Sequence, residues 1–202
     1  MTMPAAGPGP KTPMPAALAA VNETNMAEAL GSTDVLQTLV DLPSTRGPVN
    51  LPVYVRRELR WRDALPATFG AVPNKQAIAF DGAPTYPELV VVQLLERAGW
   101  GAAWRKNWGG LAYWRGIREP IDLPPMTLSI LSQVSQQAGH DSPWDVVAWR
   151  GRELRLLVSR QEGGQRVSAY VANWLDAALR MGIPLGCFGI VEHHIERIPR
   201  RR

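Results

Sequence analysis

The chain has 202 residues, 46% hydrophobic and 20% charged, which is enough apolar material for a sizeable core. No apolar run reaches the ~18 residues of a membrane-spanning helix, and the single cysteine, Cys187, excludes an internal disulfide or a multi-cysteine zinc module. The net charge is +4, from 22 basic and 18 acidic residues, and Lys11, Lys75 and Lys106 are the only lysines in an otherwise arginine-based set.

Residues 1–33 open with Ala, Pro, Gly and Met, carry little charge and predict a disordered arm. They show neither a basic n-region nor a compact apolar h-region, so a secretion signal is not expected and a cytoplasmic location is. Residues 34–83 form an extension that periodicity leaves undecided. DVLQTLVDL is a brief apolar pattern broken by Pro43, and LPVYVRRELRWRD fits a strand or a short basic helix.

From Pro84 onward the signals sharpen. Thr85-x-x-Glu88, with Pro87 in the first turn, reads as a capping box opening a helix that Gly99 stops. GAAWRKNWGGLAYWRG reads as two strands around a turn at 107–110. Pro124-Pro125 open a second helix that ends at Gly139. WDVVAWRGRELRLLVSR reads as two strands joined at Arg150-Gly151. VSAYVANWLDAALRMG is an amphipathic helix with Val167, Tyr170, Val171, Trp174, Leu175 and Ala178 on its apolar side, and LGCFGIVEHH is a last strand. This order predicts an α/β fold with a mixed β-sheet flanked by helices over residues 84–198, followed by a basic tail at 199–202.

With Arg150-Gly151 as a two-residue turn, Trp149 pairs with Arg152 and Asp145 lies across from Leu156. Alternation then puts Leu156, Val158 and Arg160 on the Asp145 face and Glu153 on the other.

A helix Glu88, Asp145-VVAWRG, Val158-Ser159-Arg160 and Val171-Ala-Asn-Trp174-Leu175 followed by GIPLGCFGIVE together resemble the PD-(D/E)XK nuclease superfamily, in its VRR-NUC-type branch. The resemblance spans about residues 84–195. It implies a restriction-endonuclease-like fold, Mg²⁺ held by Asp145 and Glu88, and catalytic positions at Asp145 and Arg160. Two departures accompany it. Val158 and Arg160 stand where such nucleases carry Glu-x-Lys, and Val171 stands where they often carry Gln. Val158 offers no hard oxygen ligand, and Arg160 can grip phosphate but is a poor proton acceptor. The expectation is a nuclease-derived domain, non-catalytic or weakly catalytic, that binds DNA, RNA or a protein, with no cofactor, or Mg²⁺ if active. A divalent-metal-dependent endonuclease using Asp145 and Glu88, and an interaction protein that binds no nucleic acid, are the alternatives.

Each of these residues has a plainer reading. Capping explains Glu88, and Arg160 is a natural ion-pair partner for Asp145. Asp176 and Glu162 read as solvated, and Glu192 as a substitute ligand at most. His193 and His194 are adjacent, so on a strand they point to opposite faces and cannot share a metal. Trp104-Arg105-Lys106, Trp114-Arg115 and Trp149-Arg150 interleave aromatics with cations. That pattern suits base stacking and phosphate contact, making Arg105, Lys106, Arg115 and Arg150 candidate nucleic-acid ligands; it equally suits core tryptophans flanked by solvated arginines.

Overall fold

The computed structural model describes residues 23–196 apart from 45–46, 68, 70–71, 73–74, 109–110 and 164–165. Most of the expected arm, and the basic tail, therefore lie outside the described residues. In chain order the elements are α1 (Glu23–Ala29), β1 (Asp34–Val40), β2 (Val49–Arg60), β3 (Ile78–Phe80), β4 (Ala83–Thr85), α2 (Pro87–Arg97), β5 (Gly101–Trp108), β6 (Leu111–Gly116), β7 (Glu119–Pro120), α3 (Pro125–Ala138), β8 (Val146–Arg150), β9 (Glu153–Gln161), α4 (Ala169–Arg180) and β10 (Phe188–Glu196).

The strands form one open, mixed sheet in the order β4-β3-β2-β10-β9-β8-β5-β6-β7, with β1 also paired to β2. β10 runs parallel to both of its neighbours, β2 and β9, and the remaining pairs are antiparallel. Parallel neighbours require a crossover, and α4 supplies the one between β9 and β10. Among the described residues no helix is long and apolar enough to cross a membrane.

Local chemistry sets the helix ends. Ser168 caps α4, its Oγ accepting from the Val171 amide at 3.3 Å, and Arg180 in the last turn pairs with Asp176 at 3.1 Å. Pro125 opens α3, and Gly139, at φ 76°, closes it in the left-handed region that a side chain would disfavour.

Strand alternation divides the core between the two faces. One layer joins Tyr54, Ala102, Trp104, Val146, Ala148, Leu157 and Val191 of the sheet to Leu89, Val92 and Leu95 of α2 and to Met26 and Leu30 around α1. The other joins Ala103, Val147, Leu154, Leu156 and Phe188 to Ile130, Leu131 and Val134 of α3 and Trp174, Leu175 and Ala178 of α4.

Several expectations need correction. Residues 23–29 are helical rather than part of an arm, because Met26 and Leu30, four residues apart, both bury fully. Residues 34–83 are no separate extension: they supply β1–β4, and β2 lies against β10 inside the sheet. The β8–β9 turn falls at Gly151-Arg152, with Gly151 at φ 58° and Arg150 paired to Glu153. The register is therefore two residues from the expected one. A shift of two preserves which residues share a face, and the register continued one residue beyond Val146–Leu157 sets Asp145 level with Val158 instead of Leu156. Tyr170 is exposed, stacked on His140 with ring centroids 3.8 Å apart.

Met26 tests the first correction. Met26→Ala should cost about 2–4 kcal/mol, as for a fully buried side chain. A disordered arm would leave the unfolding free energy measured in urea within about 0.5 kcal/mol of wild type.

Candidate functional site

The capping box is absent. Tyr86 is the N-cap of α2 and gives no side-chain cap, Thr85 ends β4, and Glu88 turns instead into the structure. Glu88 is 3% exposed, and one of its oxygens is bonded to Lys75 Nζ. Its other oxygen, Oε2, is buried without a hydrogen-bond partner. The Lys75 ammonium also lies 5.5 Å from the ring centroid of the fully buried Trp104, within cation–π range.

The segment that carries Lys75 is anchored to the same aromatic group. The Val72 amide donates to the Tyr86 hydroxyl at 2.6 Å, and the Tyr86 ring lies 5.1 Å from Phe69 and 5.7 Å from Trp104. Burial is the main cause that raises the Tyr86 pKa, so the hydroxyl stays protonated.

Asp145 occupies the bend just before β8, where three strands meet. Its carbonyl accepts from the Arg105 amide of β5 at 2.6 Å, and its Oδ2 accepts from the Ser159 amide of β9 at 2.8 Å. Burial pushes its pKa up to about 6; the Ser159 amide opposes this, Glu88 adds to it, and Lys75 and Arg105 pull it back. Glu88 and Lys75 thus act on Asp145 from the α2 side. The Arg105 guanidinium, 3.4 Å from the exposed Asp141, acts from the α3 side.

The other sequence candidates scatter. Arg160 is not the partner of Asp145. It lies across from Glu192 of β10 and bonds it through Nε at 2.8 Å and Nη2 at 2.7 Å, while His194 holds the second Glu192 oxygen at 3.0 Å. Arg115 pairs with Glu96 at 2.6 Å. Arg150 sits at the far end of β8, paired with Glu153 at 2.7 Å and stacked on Trp100 at 4.5 Å. Lys106 is half-buried, and its carbonyl accepts from the Trp114 indole at 2.8 Å. Of the four proposed nucleic-acid ligands, Arg105 alone acts on Asp145.

Five of the described tryptophans are core residues. Trp100, Trp104, Trp114, Trp144 and Trp174 are all buried, so a stacking platform built from them is excluded. Asp176 is buried as well, bonded to Ser44 and Arg180. His193 is 1% exposed and bonded through Nδ1 to Glu58 at 3.0 Å, and burial pushes the Cys187 thiol up to about 11. Among the described residues no three His, Cys, Asp or Glu side chains are grouped to hold a metal.

Sequence reasoning missed Lys75. It lies in VPNKQ, outside any periodic segment, and its one signal was rarity: three lysines against nineteen arginines in this chain. A compact ammonium fits a tight buried contact that a planar guanidinium does not.

No family model, curated protein or solved structure matches this chain.

Asp145 sets a pH dependence with a definite sign. A carboxyl near 6 in the folded state and 3.8 in the unfolded one favours folding below about pH 4, and that contribution is lost as pH rises through 6. Asp145→Asn keeps an acceptor for the Ser159 amide and removes the charge. It should therefore melt above wild type at pH 7.5, by on the order of 2 kcal/mol after allowance for partial exposure, with the gap closing by pH 4. Melting curves across pH check this, and a gap independent of pH contradicts it.

Proposed function

We propose that this chain is a nuclease-derived module that binds nucleic acid through the mouth of β8 and has little or no phosphodiesterase activity. The reading rests on its likeness to the PD-(D/E)XK superfamily. It is supported by the order α2, β5, β8, β9, α4, β10, with an acidic residue at the start of α2 and another at the start of β8. A restriction-endonuclease-like ancestry accounts for two carboxylates in one region of low dielectric, where they otherwise weaken the fold.

The observation that carries the loss of catalysis is the occupancy of every charged group around Asp145. In an active relative a divalent cation would lower the pKa of water and neutralise the phosphate. The residues here do not fit such an ion. Lys75 already neutralises Glu88, apolar Val158 stands across from Asp145, and Glu192 holds Arg160. Binding needs less. Arg105 meets the Tyr113 hydroxyl and, at 3.4 Å, an Asp141 that is 84% exposed, so a phosphate can displace that carboxylate from the guanidinium.

Anisotropy with labelled single- and double-stranded DNA and RNA tests the reading. Two or three phosphate contacts should weaken binding roughly ten- to fortyfold between about 50 and 200 mM salt. Arg105→Ala with Lys106→Ala should weaken it at fixed salt, and Asp145→Ala should not. Magnesium-dependent cleavage by wild type that Asp145→Ala abolishes would establish the endonuclease instead, a reading favoured by the electrostatic influence of Glu88 on Asp145. Absence of binding to any of the probes would leave an interaction protein.

A further inference from the structure

We propose that the outer edge of β1 is a docking site for an extended peptide strand, apolar at its centre and basic at its ends. The inference is independent of the nucleic-acid reading, because β2, β10 and β9 lie between β1 and β8.

An edge strand offers unpaired amides and carbonyls, and proteins blunt such edges with shortness, proline or lysine. Two edges of this sheet are blunted in that way. β4 is three residues long and contains Pro84, and β7 is two residues long and contains Pro120. β1 is not. All seven of its residues pair with β2, and from Asp34 to Val40 it holds no proline, lysine or arginine. Among the described residues no strand pairs with its other side.

The side chains along this edge are apolar and open on both faces. Alternation sets Val35 and Leu39 on one face, 43% and 59% exposed, and Leu36 on the other, 53% exposed. Among the described residues no other strand exposes three large apolar side chains. An added strand would set alternate side chains against these while its backbone continues the ladder.

Charge selects the occupant. Asp34 opens β1 and Asp41 follows its last residue; both are exposed, and among the described residues neither carboxylate has an ion-pair partner. Between Lys11 and Arg46 the sequence holds no basic residue and four acids, Glu23, Glu28, Asp34 and Asp41, in a chain of net charge +4. A second copy pairing antiparallel about Gln37 would match Val35 with Leu39. It would also bring Asp34 of one copy beside Asp41 of the other at both ends, and like charges there oppose it. Basic residues in the same places are attracted instead.

Anisotropy with the full chain tests this, using fluorescein-labelled peptides of about nine residues, enough to span β1. The basic probe alternates valine and threonine between terminal arginines. One control carries terminal glutamates, and another carries prolines at alternate central positions. The basic probe should bind, the acidic one about tenfold more weakly, and the proline one not at all. Amide exchange should be fast along the outer side of β1 in the free chain and slow there once the basic probe is bound, with β4 and β7 unchanged.

Leu36→Lys with Leu39→Lys, both at exposed positions, should leave the melting temperature unchanged and weaken the basic probe by about tenfold or more. Asp34→Lys with Asp41→Lys should reverse the preference, so that the acidic probe binds better. Lack of binding by the basic probe at about 1 mM, equal binding of both charged probes, or binding that the leucine variants leave intact would each overturn the proposal. So would slow exchange along the outer side of β1 in the free chain, whether a second copy, seen as a concentration-dependent mass, or another part of the same chain covers the edge.

Discussion

The structure turns on β10. Running parallel to β2 on one side and β9 on the other, it joins strands from the first third of the chain to strands from the last. Its first residue, Phe188, packs against Trp144 at 5.0 Å and Trp174 at 6.3 Å, which ties it to α4 and to the approach to β8. Bending that segment away would expose both core layers, because Phe188 belongs to one and Val191 to the other. The position of Asp145 follows from this packing: Trp144, next to it in sequence, is fully buried under Phe188 and leaves the aspartate at the edge.

That edge concentrates charge in a region with little water to screen it. Carboxylates and cations occur there in pairs whose partners come from different segments: Lys75 with Glu88, Arg160 with Glu192, Arg105 with Asp141. Burial makes the first two pairs firm once made, whereas the exposed Asp141 holds Arg105 loosely, so the pairing fixes which groups remain for a ligand. The same reasoning accounts for the buried group on the α2 side, where Glu58 accepts from Arg56 at 3.1 Å and meets His193 at 3.0 Å, while Arg56 reaches the Leu30 carbonyl at the end of α1.

The elements after residue 84 were readable because proline and glycine punctuate them and their apolar spacing runs over several turns or strands. Gly99, Gly139 and Gly151 all adopt positive φ at element ends. α1 escaped notice because seven residues hold too few apolar positions to establish a period. β1–β4 were undecided because β2 finds its partner in β10, far along the chain, and no local signal encodes such pairing. Of the site, Asp145 and Glu88 were legible through motif likeness. Capping misled for Glu88, since Thr85 was needed to pair with Ile78 in the β3–β4 hairpin. The fates of Arg160 and Lys75 depend on neighbours distant in sequence, Glu192 and Glu88, and these only a fold brings near.

The segment bearing Lys75 meets Tyr86 through the Val72 amide and the Phe69 ring, whereas Glu88 and Asp145 belong to a helix and to the sheet margin. Positive and negative members of the cluster therefore come from different kinds of element, the cation from a connection between strands and the carboxylates from a helix and the sheet margin. The sign of the potential at the mouth of β8 is thus set by a connection and not by the helix and sheet that carry the carboxylates.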